Sequence, residues 1–438
     1  MPTFLGFSAV FLLATDALNW ELSVLPGFSF KNLIIYFIGM ILVLRMVVGR
    51  GSFTAMGQMQ GAFLVQIAYA MVTWLVAGLL IQYPYYDLAQ SGIQLKSSLI
   101  DHYIFFLVFL FGVQTPEDAL KVIKGLLIGA VLANIITILD AAGIISLGFR
   151  IRDDGRTAGA IGESNQYAAF IVLFLPATVA AAVASRGFRR LFWFGATVIA
   201  GMTLVMTGSR GGFVGLAMCC AVGAYLYRHL ISYSRVAGWA FGLLILLVLV
   251  VSFSQYGNLL AERLAGTGSI DASTASSGRS DIWATALAAM FSNPITFITG
   301  YGWNVYWSMA FQFSPHNHYL ALWFNLGLIG LFCGSYLLFS AIGRARRASL
   351  RAVPPMRGQL IAFVLGGVGI ATAVFFVDLY KPWFYFWMYA GVAMRMVLCA
   401  EQSPAAQPVI SDATAVARRP AARRDPYGWA RAPWQGRS

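Results

Sequence analysis

Long apolar stretches recur along almost the whole chain, and they restrict its fold more than any other feature. Most run for roughly 17 to 25 residues, the length that crosses about 30 Å of hydrocarbon as an α-helix. Of the 438 residues, 59% are hydrophobic and 11% are charged, whereas a soluble domain carries about 25% charged residues. Strand-like alternation is absent, which disfavours a membrane barrel. The sequence therefore predicts an all-α polytopic membrane protein.

The apolar stretches predict about 12 transmembrane helices, with boundaries uncertain by a few residues. The first and fourth of these spans are the shortest. The chain start lacks the basic region and small-residue cleavage site of a signal peptide, so the first span is expected to be retained. The predicted spans are 3–18, 33–48, 62–81, 99–113, 119–140, 165–184, 191–207, 211–229, 236–253, 318–342, 359–378 and 383–399.

The distribution of basic residues predicts the orientation. With the N-terminus inside, about 20 of the 30 Lys and Arg residues fall on the cytoplasmic side, as the positive-inside rule expects. The net charge of +13 then reflects topology and anionic lipid rather than nucleic acid. In this orientation Arg156, Arg210, Arg279 and His316 all lie at the non-cytoplasmic face, which indicates a shared site for an anionic, membrane-delivered substrate.

The chain divides into three predicted regions. Residues 1–400 form a multi-span membrane domain, and within it residues 254–317 form a long periplasmic loop that carries candidate catalytic residues. Such a loop is too long to be only a connector. Residues 401–438 are rich in Ala, Pro and Arg and predict a disordered basic cytoplasmic tail.

The segment TGSRGGFVGL turns the chain at the outer face and begins a span. A helix that starts there presents backbone N–H groups and the positive end of its dipole outward. Arg210 stands beside that end, and Gly211 and Gly212 let an anion approach the backbone, so the segment is a candidate phosphate cradle. The structural alternative is a tight turn whose arginine reaches the lipid headgroups.

Two further helices start at the same face, near Asn165 and near His318. Three positive helix ends can therefore converge on one anion. The structural alternative is that Asn165 and Asn317 simply cap these helices.

The long loop contains SSGRSDIW, where Ser280 and Asp281 resemble the N-cap region of a helix. Arg279 precedes that predicted start and is a candidate anion ligand. The alternative is a solvated loop arginine.

The segment PHNHYLALWF places two of the four histidines at the mouth of a span. His316 is the candidate general base, because neutral imidazole titrates near physiological pH. His318, two residues on, is a second candidate ligand. His-x-His could instead bind a metal, but no cysteine or carboxylate cluster accompanies it. His102 and His229 lie at predicted span ends and are expected to be ordinary interfacial residues.

Taken together, four segments resemble the O-antigen ligase and polymerase superfamily of bacterial envelope enzymes. In order they are RTAGAIGESNQYA with Arg156 and Asn165, TGSRGGFVGL with Arg210, GRSDIW with Arg279, and PHNHYLALWFNLGLIGL with His316 and Asn317. The family's last motif, His-Asn-x-x-Leu, is matched by His316, Asn317 and Leu320. His318 occupies a variable position of that motif.

The resemblance implies a C-type, multi-span glycosyltransferase that moves a glycan from undecaprenyl diphosphate to an acceptor glycan or glycolipid at the periplasmic face. It implies an inner-membrane location, no metal or other cofactor, and other polysaccharide-assembly proteins as partners. Carried over, Arg210 and Arg279 bind the diphosphate and His316 deprotonates or orients the attacking hydroxyl. Arg156, Asn165, Asn317, Gly211, Gly212 and His318 are the expected substrate-binding residues.

Two family activities fit the sequence. A ligase passes a finished glycan to the lipid A–core of lipopolysaccharide, whereas a polymerase joins lipid-linked repeat units into O-antigen or exopolysaccharide. The moderate length of the outer loop leans slightly towards a polymerase.

A transporter of lipid-linked glycans is the main alternative from another class. It predicts charged residues or broken helices near the bilayer midplane, whereas the spans predicted here are nearly free of charge. A non-catalytic scaffold leaves the placement of the arginines and histidines unexplained.

Overall fold

The computed structural model describes residues 1–18, 23–49, 57–147, 156–229, 278–309 and 315–402. Contacts group residues Met1–Ala400 as one unit. The predicted span 236–253, most of the predicted tail and the first part of the predicted long loop lie outside the described residues.

The described chain is almost wholly helical. A short antiparallel pair, β1 (Ser23–Leu25) and β2 (Phe28–Ser29), joins the first two helices. The helices are α1 (Pro2–Ala17), α2 (Phe30–Val47), α3 (Gln58–Leu75, continued by a π-helical segment Val76–Ile81), α4 (Leu88–Leu95), α5 (Asp101–Gly112, joined to α4 by the π-helical segment Lys96–Ile100), α6 (Pro116–Ala141), α7 (Ser164–Ala184), α8 (Gly187–Thr207), α9 (Arg210–Leu226), α10 (Arg279–Phe291), α11 (Pro294–Thr299), α12 (His318–Ser349), α13 (Met356–Ala373) and α14 (Lys381–Gln402).

Helix length and composition confirm a multi-pass, all-helical membrane protein. Within the described ranges, nine helices or joined helices are long and apolar enough to cross a bilayer. Two shorter apolar helices, α1 and α9, match the first and eighth predicted spans. The predicted total of 12 cannot be counted on the described residues alone.

Three predicted spans end or begin several residues from their boundaries in the structure. The tenth continues to Ser349 rather than ending near residue 342. The fourth begins at Leu88 rather than near residue 99, because its first turns carry polar residues such as Gln94 and Lys96 that lower the hydropathy. The eleventh ends at Ala373 rather than near residue 378. The loop that follows is apolar yet buried, with Val374 and Val377 packed in the core, and hydropathy alone does not separate a buried loop from a helix.

The spans hold more buried charge than expected, since Asp16 in α1 and Arg395 in α14 are buried as well as Asp101. Asp101 is fully buried within the Leu88–Gly112 span, and its carboxylate lies 2.9 Å from Lys96 Nζ. It also accepts hydrogen bonds from Asn32 Nδ2 at 3.0 Å and from the Tyr36 hydroxyl. This network meets the requirement that an ion pair in an apolar interior has its remaining hydrogen bonds satisfied.

Glycines bring the central helices α7, α9 and α13 into backbone contact. A Cβ atom built on Gly366 would lie 2.2 Å from the Leu173 carbonyl oxygen, and one on Gly215 would lie 2.8 Å from that of Gly369. Small residues at such crossings allow the close packing that drives helix association in membranes. The core that holds the loops at one end of the bundle therefore depends on these glycines.

Gly366→Ala is expected to destabilise the protein by roughly 1–3 kcal/mol, because the methyl group meets rigid backbone and α13 must move away from α7. Gly195→Ala is the matched control, since a Cβ there meets nothing within 4 Å. Thermal unfolding of the two purified variants in detergent measures the difference. Equal midpoints would contradict the packing argument.

Candidate active site

Four loops meet at one end of the helix bundle, which we call the site end. The Thr157 N–H donates to the Met206 carbonyl at 3.1 Å, which joins the loop before α7 to the end of α8. The Tyr380 N–H donates to Gln166 Oε1 at 3.1 Å. The His318 N–H donates to the Val374 carbonyl at 2.9 Å. Two hydrogen bonds between backbone groups and one to the Gln166 side chain thus link the loops 156–163, 208–209, 315–317 and 374–380 or the helix ends beside them.

Arg156 is buried between two of these loops. Its Nε donates to the Thr207 carbonyl at 2.8 Å, and a terminal guanidinium nitrogen donates to Asn165 Oδ1 at 2.9 Å. Only 8% of the residue is exposed. These bonds give Arg156 a positioning role for the loops, whereas direct contact with phosphate or glycan stays a prediction.

Glu163 caps α7, so the alternative in which Asn165 is the cap was wrong. The Glu163 carboxylate accepts hydrogen bonds from the backbone N–H groups of Asn165 at 3.1 Å and Gln166 at 2.7 Å. The Asn165 side chain instead accepts from Arg156 and from Ser209 Oγ at 3.0 Å, and donates to Glu163 at 2.9 Å. An acidic residue just before an apolar helix was the signal for this cap.

Arg156→Lys is expected to lower the thermal midpoint of the protein, because a single ammonium cannot bond both Thr207 and Asn165 in the geometry of the guanidinium fork. The loss of a buried charged hydrogen bond costs about 1.5–3 kcal/mol. Arg190→Lys, at an exposed position in the first turn of α8, is the control. An unchanged midpoint for Arg156→Lys would show that the loops do not depend on this side chain.

Helix α9 begins at Arg210, as predicted, and Arg210 is exposed. The hydroxyl of Ser209 caps the helix by accepting the Gly212 N–H at 3.3 Å. A Cβ on Gly211 would lie 2.9 Å from Phe376 Cβ, and one on Gly212 would lie 2.6 Å from Ala168 Cβ. The glycines therefore allow close packing of α9, and their predicted contact with an anion is a separate proposal.

Helix α10 begins at Arg279 itself, after Gly278 with a φ of +77°. The prediction that Ser280 and Asp281 form the N-cap region was wrong, since they are the second and third residues of the helix. A glycine adopts this positive φ at no steric cost, and Gly278 offers no side chain to cap the helix.

Arg279 lies within electrostatic reach of three other charged residues. Burial has the largest effect and lowers the pKa of the Arg279 guanidinium. The next effect comes from Glu163, which raises this pKa, followed by Arg210, which lowers it, and Asp378, which raises it. An arginine nevertheless stays protonated in proteins. Arg279 therefore interacts electrostatically with charged side chains from three other segments at the site end, and we call Arg279, Glu163, Arg210 and Asp378 the charged cluster.

His316 stands in a turn with a φ of +47°, a left-handed conformation that is uncommon for residues other than glycine. The indole Nε1 of Trp283 donates to the neighbouring Pro315 carbonyl at 2.6 Å. This bond ties the His316 turn to α10, the helix that begins with Arg279. Left-handed non-glycine residues are frequent at functional sites, where the surroundings hold the strained conformation in place.

Asn317 and His318 begin α12. Asn317 Oδ1 accepts the Leu320 N–H at 3.0 Å, so the structural alternative of a helix cap is confirmed for this residue. His318 is the first residue of the helix, and its ring centroid lies 5.0 Å from that of Trp383. It lines a cavity together with Asp378 and His102.

Sequence reasoning missed three residues at the site end or beside it. Asp378 belongs to a loop rather than to the end of a span, and burial together with this carboxylate raises the pKa of Tyr306 to about 12. His102, predicted as interfacial, is only 4% exposed and packs edge-on against Phe384, because its helix starts earlier than expected. Glu163, the cap of α7, is the third.

His229 is exposed at the end of the described part of the chain that follows α9.

The fold and the site together define a multi-pass helical membrane protein with a cluster of charged side chains at one end of its bundle. Residues 195–334 match the family model described as O-antigen ligase. Over these residues the match supports the resemblance to the O-antigen ligase and polymerase superfamily. The matched segment contains Arg210, Arg279 and His316, whereas Arg156 and Asn165 precede it. No curated protein sequence matches the chain.

Proposed function

We propose that the protein transfers a glycan from an undecaprenyl-diphosphate carrier to the hydroxyl of an acceptor sugar, without a metal ion and with inversion at the anomeric carbon. The observation that carries the proposal is the charged cluster, in which Arg279 interacts electrostatically with Arg210, Glu163 and Asp378. Two guanidinium groups held together repel each other unless an anion or carboxylates balance them.

The cluster suits a diphosphate leaving group. Guanidinium groups bind phosphate oxygens through paired hydrogen bonds. Arg210 and Arg279 are also the first residues of α9 and α10, and the dipole of a helix favours negative charge at its N-terminus. As the sugar–phosphate bond breaks, charge grows on the leaving oxygen, and these groups stabilise it. Glu163 and Asp378 balance part of the positive charge of Arg279 before the donor binds.

His316 is the proposed base. The acceptor hydroxyl gives its proton to the imidazole while its oxygen bonds to the anomeric carbon, and the electron pair of the breaking bond leaves with the lipid diphosphate. Attack from the side opposite the leaving group inverts the configuration. The bond from Trp283 to Pro315 supports this role, because it fixes the His316 turn to the helix that carries Arg279. His318, Asn165, Asn317, Arg156, Gly211 and Gly212 shape the surrounding pocket.

The charge distribution supports a periplasmic site in the inner membrane. The helix ends and loops opposite the site carry a high density of basic residues, as the cytoplasmic side of a membrane protein does. They include Arg186, Arg189, Arg190, Arg344, Arg346, Arg347, Arg351 and Arg357.

A labelled, undecaprenyl-diphosphate-linked repeat unit given to membranes that contain the protein tests the proposal. A ladder of products on lipid carrier identifies a polymerase, towards which we lean slightly, and label on lipid A–core identifies a ligase. Movement of the label across the bilayer without a new glycosidic bond would support a transporter and end the proposal.

A further inference from the structure

A second feature adjoins the charged cluster: a cavity of about 140 Å³ inside the bundle. It lies between α3, the joined helices α4 and α5, α12 and the loop 374–380. Pro315 and Asp378 line it, so it opens beside both the His316 turn and the acidic partner of Arg279. Its polar lining includes Gln94, Ser98, His102, Asn304, Asn325 and His318.

Two residues that line this cavity each carry a buried nitrogen atom with no hydrogen-bond partner within the described part of the chain. One is Nε2 of His102, a residue that is 4% exposed and is hydrogen-bonded to the backbone of Ser98. The other is Nε1 of Trp383, a residue that is 5% exposed. Buried polar atoms in native proteins are almost always paired, so these two indicate a polar ligand that completes them.

The size and lining of the cavity suit one sugar ring. A buried water needs roughly 10–15 Å³ of such volume, so the cavity accepts a ligand of about ten non-hydrogen atoms. Trp303, Trp387 and Tyr319 also line it. Aromatic walls with a few placed polar groups are the usual lining of a small-molecule site, and a sugar ring offers apolar C–H faces to the walls and hydroxyls to the polar groups.

Other ligand classes fit the cavity less well. Neither lysine nor arginine is among the described residues that line the cavity, so phosphate would find no cationic partner there. A polyprenyl chain would leave the imidazole and amide groups buried and unpaired. The described ranges contain no group of three His, Cys, Asp or Glu side chains able to hold a metal ion.

We propose that this cavity binds a single sugar ring of a glycan substrate, with His102 Nε2 and Trp383 Nε1 hydrogen-bonded to its hydroxyl groups. This inference rests on the proposed function, because it places that ring beside the charged cluster and the His316 turn. The ring belongs either to the donor glycan or to the acceptor glycan. The KM values for the two substrates distinguish these possibilities.

His102→Leu keeps the size of the side chain and removes its hydrogen bonds. We expect the KM for one glycan substrate to rise by about tenfold, as for the loss of one buried hydrogen bond, while kcat changes little. A rise in the KM for the donor assigns the ring to the donor, and a rise in the KM for a lipid-free acceptor assigns it to the acceptor. His229→Leu, at an exposed position just after α9, is the matched control. Unchanged KM values for both substrates in His102→Leu overturn the proposal.

Cysteine protection provides a readout that does not need turnover. Ser98→Cys is placed on the cavity wall of the full chain, with Cys219, Cys220, Cys333 and Cys399 replaced by serine. We expect the lipid-linked glycan or the acceptor glycan to slow labelling of the introduced thiol by a small thiosulfonate reagent, and undecaprenyl diphosphate without sugar to leave the labelling rate unchanged. Equal protection by the sugar-free lipid, or no protection by any glycan, overturns the proposal.

The two proposals fail in different ways. If the wild type transfers glycan while His102→Leu and the protection assay show no effect, only the sugar cavity is wrong. If glycans protect the thiol of the Ser98→Cys variant while the wild type transfers nothing, the cavity stands and the proposed reaction fails.

Discussion

Replacing His316 with alanine is expected to abolish glycan transfer while the protein still inserts and folds. The imidazole is the proposed acceptor of the hydroxyl proton, and a general base contributes about 10²–10⁴-fold to a rate. The side chain is only partly buried and belongs to a loop, so its removal creates no cavity in the helix core. Initial rates with purified lipid-linked donor measure the effect, and the thermal midpoint verifies the fold.

Two control variants separate the base from its neighbours. His229→Ala removes an exposed histidine just after α9 and should retain full activity. His318→Ala should change a KM more than kcat, because His318 lines the cavity beside the cluster. Normal activity of His316→Ala, or a larger loss of kcat in His318→Ala, would contradict the assignment of the base.

Arg279→Ala is expected to lower kcat/KM for the donor by about 10²–10³-fold, the usual cost of removing one group that stabilises charge in a transition state. Arg279→Lys should restore only part of the rate, because an ammonium cannot form the paired hydrogen bonds of a guanidinium. Arg210→Ala should have a similar effect. Steady-state kinetics with varied donor concentration provide the comparison.

The double variant Arg210→Ala/Arg279→Ala tests whether the two arginines act on one diphosphate. Residues that share a ligand give non-additive effects, so the double variant should lose less than the product of the two single losses. Arg351→Ala, exposed at the opposite end of the bundle, should behave as the wild type. Strictly multiplicative losses would contradict a shared diphosphate.

The sequence predicted the long helices well because their signal is local. The apolar run predicted at 119–140 corresponds to Pro116–Ala141, and that at 165–184 to Ser164–Ala184. Each such helix satisfies its own backbone, so length and hydropathy suffice to find it. The fourth span was predicted too short because polar residues that face the interior, among them Ser91 and Lys96, look like a boundary.

The candidate site was predicted only in part for a related reason. Arg210, Arg279 and His316 stand at or beside the starts of apolar helices, where a local pattern marks them. Glu163 and Asp378 act through partners far away in the chain, and no local pattern specifies such pairs. The unpaired His102 nitrogen likewise depends on several distant segments that enclose one cavity, and only the fold reveals this arrangement.

Sidedness is the most direct test of the account, because a lipid-linked glycan and the charged cluster must meet on the same side of the membrane. Asp281→Cys reports on the site end, two residues from Arg279, and Arg351→Cys reports on the opposite end. Both positions are exposed, and both variants are made after replacement of the four native cysteines. An impermeant maleimide should label the Asp281→Cys variant in intact spheroplasts and the Arg351→Cys variant only after lysis. The account would be contradicted if intact spheroplasts gave the reverse pattern, in which the Arg351→Cys variant is labelled and the Asp281→Cys variant is not. That result would rule out a periplasmic glycan transferase.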